Sequence, residues 1–193
     1  MLDAAIQPAP RMKDIFWGEL TPCDHLVQIY QNDEALIDAL EGFIAGGLSA
    51  GDAVVIIATP AHRESLQRRL ENQGFDIAAA AAKDQYIALD ADETLAKFMR
   101  NDWPDDELFQ NLIEKLLARA QSGGRRVRAF GEMVAILWAK GNNGATVRLE
   151  HLWSRLCHGK TFSLFCAYPR SGFTQSTSAS IKEIFDAHSR LVP

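Results

Sequence analysis

The run Gly51-Asp52-Ala53-Val54-Val55-Ile56-Ile57-Ala58-Thr59-Pro60 decides the fold. From Ala53 to Ala58 it is apolar, rich in β-branched residues and without alternation, so a strand here must be covered on both faces, as in a parallel sheet. Thr59 has the side chain of a helix N-cap and Pro60 suits the first helical position. A helix through Leu66 and Leu70 is therefore expected to follow and to end at Gly74. Together these residues spell a βα unit.

Upstream, His25 to Tyr30 reads as another strand. Asp33 is the expected cap of a helix that carries Leu36, Ile37, Leu40, Phe43 and Ile44 on one face and stops at Gly46-Gly47. Residues 1–22, punctuated by Pro8, Pro10 and Pro22, read as an irregular leader before a single domain over residues 23–193. Downstream, Gln85 to Asp90 predicts a strand, followed by a helix with Leu95, Phe98 and Met99. Asp90 or Asp92 is the natural cap of that helix. The acidic trio Asp105-Asp106-Glu107 then opens a helix in which Leu108, Phe109, Leu112, Ile113, Leu116, Leu117 and Ala120 recur at helical spacing. Arg125 to Phe130 is the next strand, Met133 to Trp138 an apolar helix, and Val147 to Leu156 a further helix after the turn at Asn142-Asn143-Gly144. Thr161 to Ala167 is the last strong strand, and a polar loop, Ser171 to Ser180, precedes a short helix around Ile181 to His188.

Strands alternating with helices at this spacing imply crossover connections. The expected fold is α/β: a three-layer domain with a largely parallel central sheet and helices on both faces. In such sheets ligands bind beyond the carboxyl ends of the strands.

Composition narrows the function classes. With 193 residues, 47% of them hydrophobic, and a formal net charge of -5, the chain reads as one globular domain with little affinity for a phosphate backbone. Direct nucleic-acid binding is not expected. Arg125, Arg126 and Arg128 form the one notable basic cluster; Arg126 and Arg128 fall on one strand face, and the bland reading is the solvated entry to a strand. The apolar stretches are too short to span a bilayer and no signal-peptide core is present, so a cytoplasmic protein without a membrane anchor is expected. Cys23, Cys157 and Cys166 are widely spaced and read as buried thiols. The five histidines show no metal-ligand spacing, so no metal is expected.

A phosphate-binding loop needs glycines to wrap phosphate and a lysine to reach it, and the turn Thr59-Pro60-Ala61-His62-Arg63 has neither. Nucleotide hydrolysis is disfavoured there. Two readings of Thr59, His62 and Arg63 remain: a capped helix with a solvated first turn, or donors at a helix N-terminus where an anion is favoured. Glu132, after Phe130-Gly131, is likewise either a ligand-facing carboxylate or a helix-start acid favoured by the dipole.

Several segments taken together resemble the MEDS family, the methanogen and methylotroph sensory domain. They are His25 to Tyr30, Phe43 to Thr59 with His62-Arg63, Leu89-Asp90-Ala91 with Thr94-Leu95, and Arg128-Ala129-Phe130-Gly131-Glu132-Met133-Val134-Ala135-Ile136-Leu137-Trp138. Leu149-Glu150 with Leu152-Trp153, Phe165 to Pro169, and Ala187-His188-Ser189 complete the set. Ser154 and Arg190 depart from the family pattern, where Asn and His are expected. The resemblance implies a sensory input domain of prokaryotic signalling that recognises small hydrocarbon derivatives, on a RecA- or KaiC-like fold with a degenerate phosphate loop.

Strand-end placement and the resemblance together nominate a ligand site. Thr59, His62 and Arg63 supply donors, Glu132 an acceptor, His25 and Tyr168 further polar contacts, and Trp138 an apolar wall. None is catalytic, and no cofactor is implied. The chain carries no output domain, so it is expected to signal in trans, to a histidine kinase, a transcription regulator or a second copy of itself. Two alternatives stay open: residual nucleotide binding, and a pure protein-interaction module.

Overall fold

The computed structural model describes residues 17, 20, 21, 23–172 and 178–192. Most of the expected leader, and residues 173–177 of the loop before the last helix, lie outside the described residues. The chain forms β1 (His25–Tyr30), α1 (Asp33–Ser49), β2 (Ala53–Ala58), α2 (Pro60–Asn72), α3 (Ile77–Ala82), β3 (Tyr86–Asp90) and α4 (Ala91–Ala96). There follow β4 (Met99–Arg100), β5 (Trp103–Pro104), α5 (Asp106–Ala120), β6 (Val127–Gly131), α6 (Met133–Ala139) and α7 (Asn143–Gly159). β7 (Phe162–Pro169), α8 (Ser178–Asp186) and β8 (Arg190–Val192) complete it.

Six strands make one sheet in the order β3-β2-β6-β7-β1-β8, and every neighbouring pair in it is parallel. β2 pairs on both sides and is buried at every residue, which is why its sequence shows no alternation. Its odd-numbered residues Val55 and Ile57 pack with α4 to α8, and its even-numbered Val54 and Ile56 with α1, α2 and α3. The result is the expected three-layer α/β architecture.

The connections obey one handedness. From β1 to β2 and from β2 to β3 the chain moves one way along the sheet and its helices lie on the first face. From β3 to β6, β6 to β7 and β7 to β8 it moves the other way and its helices lie on the second. Neighbours β2 and β6 therefore send their following helices to opposite faces. Chains that diverge in this way open a crevice at the carboxyl ends of the two strands.

Local readings need correction at several points. Asn32, not Asp33, caps α1, its side chain accepting from the Ala35 amide at 2.9 Å. α1 also runs past Gly46-Gly47 to Ser49, because Gly47 is there for space: a Cβ on it would lie 2.9 Å from Cδ of Arg128. Phe98 and Met99 lie beyond α4, and Met99 enters a short antiparallel hairpin with Pro104. Neither α3 nor β8 is foreshadowed. Arg128 is buried at 3% exposure and paired with Asp52, so that part of the basic cluster is not a solvated strand entry. Cys157 and Cys166 are buried, but Cys23 is exposed. Among the described residues no helix is long and apolar enough to cross a membrane.

Candidate functional site

The β2–β6 divergence brings together two of the turns nominated from sequence. Ala58 ends β2 and Gly131 ends β6, so Thr59 and Glu132 leave the sheet side by side. The Glu132 amide still donates to the Ile57 carbonyl at 2.8 Å, which locks the two exits in register. Thr59 occupies the N-cap position of α2 but makes no side-chain cap bond. Its amide donates instead to Glu132 Oε2 at 2.8 Å, and its hydroxyl to the same oxygen at 3.2 Å. His62, one turn into α2, places Nδ1 2.8 Å from Glu132 Oε1. One carboxylate thus satisfies the free end of one helix from the start of another.

Neighbouring groups extend this edge. His62 Nε2 lies 3.7 Å from Asp33 in the first turn of α1. Arg63 reaches Asp90 at the end of β3 at 3.3 Å, while the other Asp90 oxygen accepts from the Glu93 amide and so caps α4. Arg63 Nε is buried and has no hydrogen-bond partner among the described residues. The Glu132 hydrogen bond raises the His62 pKa above its ordinary value, against the opposing effect of burial, and Asp33 adds to the rise. Burial, with Glu132 and Asp33 beside it, raises the Tyr30 phenol. The edge concentrates negative charge around one imidazole.

The remaining nominated residues sit elsewhere. The structure separates His25, Tyr168 and Trp138 from the edge group and buries them on the second sheet face, at 3%, 0% and 3% exposure. His25 starts β1 and so lies toward the amino end of the sheet, opposite Leu164 of β7. Its ring meets Glu150 of α7 (Nε2 to Oε2, 3.4 Å), Cys166 of β7 (Nε2 to Sγ, 3.4 Å) and the ring of His188, whose centroid is 3.9 Å away. Tyr168 donates its hydroxyl to the other Glu150 oxygen and stands edge-on to Trp138, 5.9 Å between ring centroids.

Burial opposes the charged form of Glu150 most strongly; His188 and His25, when protonated, and the Tyr168 hydroxyl act the other way and bring the carboxyl down to about 2. Burial also pushes the Cys166 thiol and the Tyr168 phenol well up, and the His188 imidazole down. Glu150, Cys166 and His188 were not candidates from sequence. Intervals from 25 to 150, 166 and 188 carry no local signature; the available signals are that all three fall in family-resembling segments and that Glu150 is a charge on the buried, largely apolar stripe of α7 with Leu149, Leu152 and Trp153.

In three-layer parallel α/β domains a divergence of strand ends is the place where ligands as a rule bind. The chain belongs to the MEDS family (methanogen/methylotroph, DcmR sensory domain), whose model matches residues 24–189. It is thus a sensory domain of signal transduction. No curated protein matches it.

Proposed function

We propose that this domain senses a small molecule, a short hydrocarbon derivative with one polar group, at the carboxyl edge of the sheet, and passes the signal in trans to a histidine kinase or transcription regulator. It binds its ligand without chemical turnover. The observation that carries this reading is the Thr59–His62–Glu132 constellation at the β2–β6 divergence, where a buried carboxylate is held by the start of α2. A polar ligand group that takes over the His62 or Thr59 bond to Glu132 shifts α2 relative to α6. Arg63, with Nε unspent, supplies a further donor. The helix N-termini that meet here also suit the degenerate phosphate loop implied by the RecA and KaiC likeness, with Glu132 in the place of an anion.

The test is a titration of the purified protein with short-chain alcohols, amines, carboxylates and haloalkanes, read by melting temperature and by the nuclear magnetic resonance signals of the His62 ring. A binder raises the melting temperature by mass action and moves His62, and Glu132→Gln weakens both effects. A panel that moves neither, or a binder whose effect survives Glu132→Gln unchanged, removes the edge as the sensing site.

A further inference from the structure

Both imidazoles of the buried cluster have their tautomer set by the backbone. His25 Nδ1 lies 2.9 Å from the Ala187 carbonyl and His188 Nδ1 2.6 Å from the Ile184 carbonyl. A carbonyl only accepts, so each Nδ1 carries the hydrogen and donates it. Each ring then turns Nε2 toward the same point, where Glu150 Oε2 and Cys166 Sγ also converge; one atom from each of the four residues lies within 4.8 Å of all the others. With neutral rings, two nitrogen lone pairs face a carboxylate. Something positive belongs between them.

The Cys166 thiol hydrogen can serve Glu150 Oε2, 3.6 Å away, or His25 Nε2, 3.4 Å away, but only one of them at a time, and a proton does not account for the nitrogen–oxygen spacing. Charge-assisted N–H···O bonds close to about 2.7–2.9 Å, yet Glu150 Oε2 stands 3.4 Å from His25 Nε2 and 3.5 Å from His188 Nε2. His188 Nε2 is buried and has no hydrogen-bond partner among the described residues. A central ion does account for it. Bonds of about 2.0–2.3 Å from a tetrahedral zinc-class ion to N, O and S set edges of about 3.3–3.7 Å between ligand atoms. Four of the six edges are 3.4 Å (His25 to Glu150), 3.4 Å (His25 to Cys166), 3.6 Å (Cys166 to Glu150) and 3.5 Å (His188 to Glu150), and the two from His188 to His25 and Cys166 lie within 4.8 Å.

The surroundings match as well. Metal-bound histidines as a rule donate the other ring hydrogen to a carbonyl or carboxylate, and metal-bound carboxylates are themselves hydrogen-bonded. Here the Ala187 and Ile184 carbonyls and the Tyr168 hydroxyl fill those places. Two imidazoles, a thiol and one carboxylate favour zinc-class ions over magnesium or calcium, which take oxygen ligands. Four protein ligands leave no open position, so the ion holds structure and activates no water.

We propose that His25, Glu150, Cys166 and His188 form a closed tetrahedral site for a zinc-class divalent ion, which fastens the segment after α8 to β1, β7 and α7. Binding displaces the Cys166 proton to solvent and leaves a thiolate on the metal. The proposal stands apart from the edge site and does not depend on a ligand there.

The whole protein, stripped with a chelator, is titrated with Co2+, whose visible bands report tetrahedral geometry and whose near-ultraviolet charge-transfer band reports a thiolate ligand; Zn2+ then competes it away. The expected result is about one Co2+ per chain, with both signatures. Cys166→Ser, nearly the same in shape, loses the charge-transfer band, and His188→Ala lowers affinity by more than about 100-fold, beyond what outer-shell changes cost. Tyr168→Phe, which alters only the support of Glu150, weakens binding by about 10-fold or more. Failure of the stripped, folded protein to bind Co2+ or Zn2+ overturns the proposal. So does a Cys166→Ser variant with the spectrum and affinity of the unaltered chain, a result that stands even if His188→Ala fails to fold.

Discussion

Asp52 and Arg128 show how much one residue's setting matters. Arg128 donates from Nε to Asp52 Oδ2 at 3.0 Å and from Nη1 to the Phe43 carbonyl at 3.1 Å, and its guanidinium lies 5.7 Å from the centre of the Phe43 ring. Arg126 meets the other Asp52 oxygen at 2.9 Å, but its side chain is 57% exposed. Removal of the buried partner strands a buried charge, so Arg128→Ala is expected to cost about 3–5 kcal/mol, and Arg126→Ala less than about 1 kcal/mol. Urea denaturation of the two variants measures the difference. His62 carries a pH prediction. Its folded-state pKa is raised above 6.5, chiefly by the Glu132 bond. The stability it contributes is fully present below the unfolded value and is lost as pH rises through the raised one. The His62 ring signals should titrate with a midpoint above 6.5, and Glu132→Gln should bring that midpoint down; a midpoint at or below 6.5 in the unaltered protein contradicts the assignment. Glu132 stood in the sequence as either a ligand carboxylate or a helix-start acid. Only the neighbouring exit of β2 shows that it serves the start of α2.

Elements with long, periodic apolar faces were legible from sequence, and their caps can be tested directly. Asn32 accepts from the Ala35 amide on α1, and Asp105 from the Leu108 amide on α5 at 3.0 Å. Asn32→Ala and Asp105→Ala are each expected to cost about 1 kcal/mol, seen as a lower denaturation midpoint with an unchanged slope. The expected run of α1 stops too soon because a glycine pair within a helical pattern is by itself a stop signal. At Gly47 the missing Cβ makes room for Arg128, a demand from β6 that α1's own sequence does not display. α3 escaped notice because six residues, five of them alanine, carry no amphipathic stripe. β8 has three residues and the β4–β5 hairpin two on each side, too few for any period to register.

Across the whole molecule the sheet separates two apolar cores. Ile44 of α1 lies in one and Ile113 of α5 in the other. Ile44→Val and Ile113→Val should each cost about 0.5–1.5 kcal/mol, and the double variant should equal their sum within about 0.5 kcal/mol, since they share no partners. A larger departure in denaturation experiments would mean that the layers communicate through the sheet. Continuous apolar strands, helical stripes and turn residues are properties of neighbouring residues, so a parallel three-layer α/β sheet and the approximate ends of its longer strands are written locally along the chain. Strand order and register depend on contacts between segments far apart in the chain, and no local pattern records them. Those contacts alone decided that Thr59 and Glu132 share an edge while His25 does not. They also decided that His25, Glu150, Cys166 and His188 turn one atom each toward a single buried point.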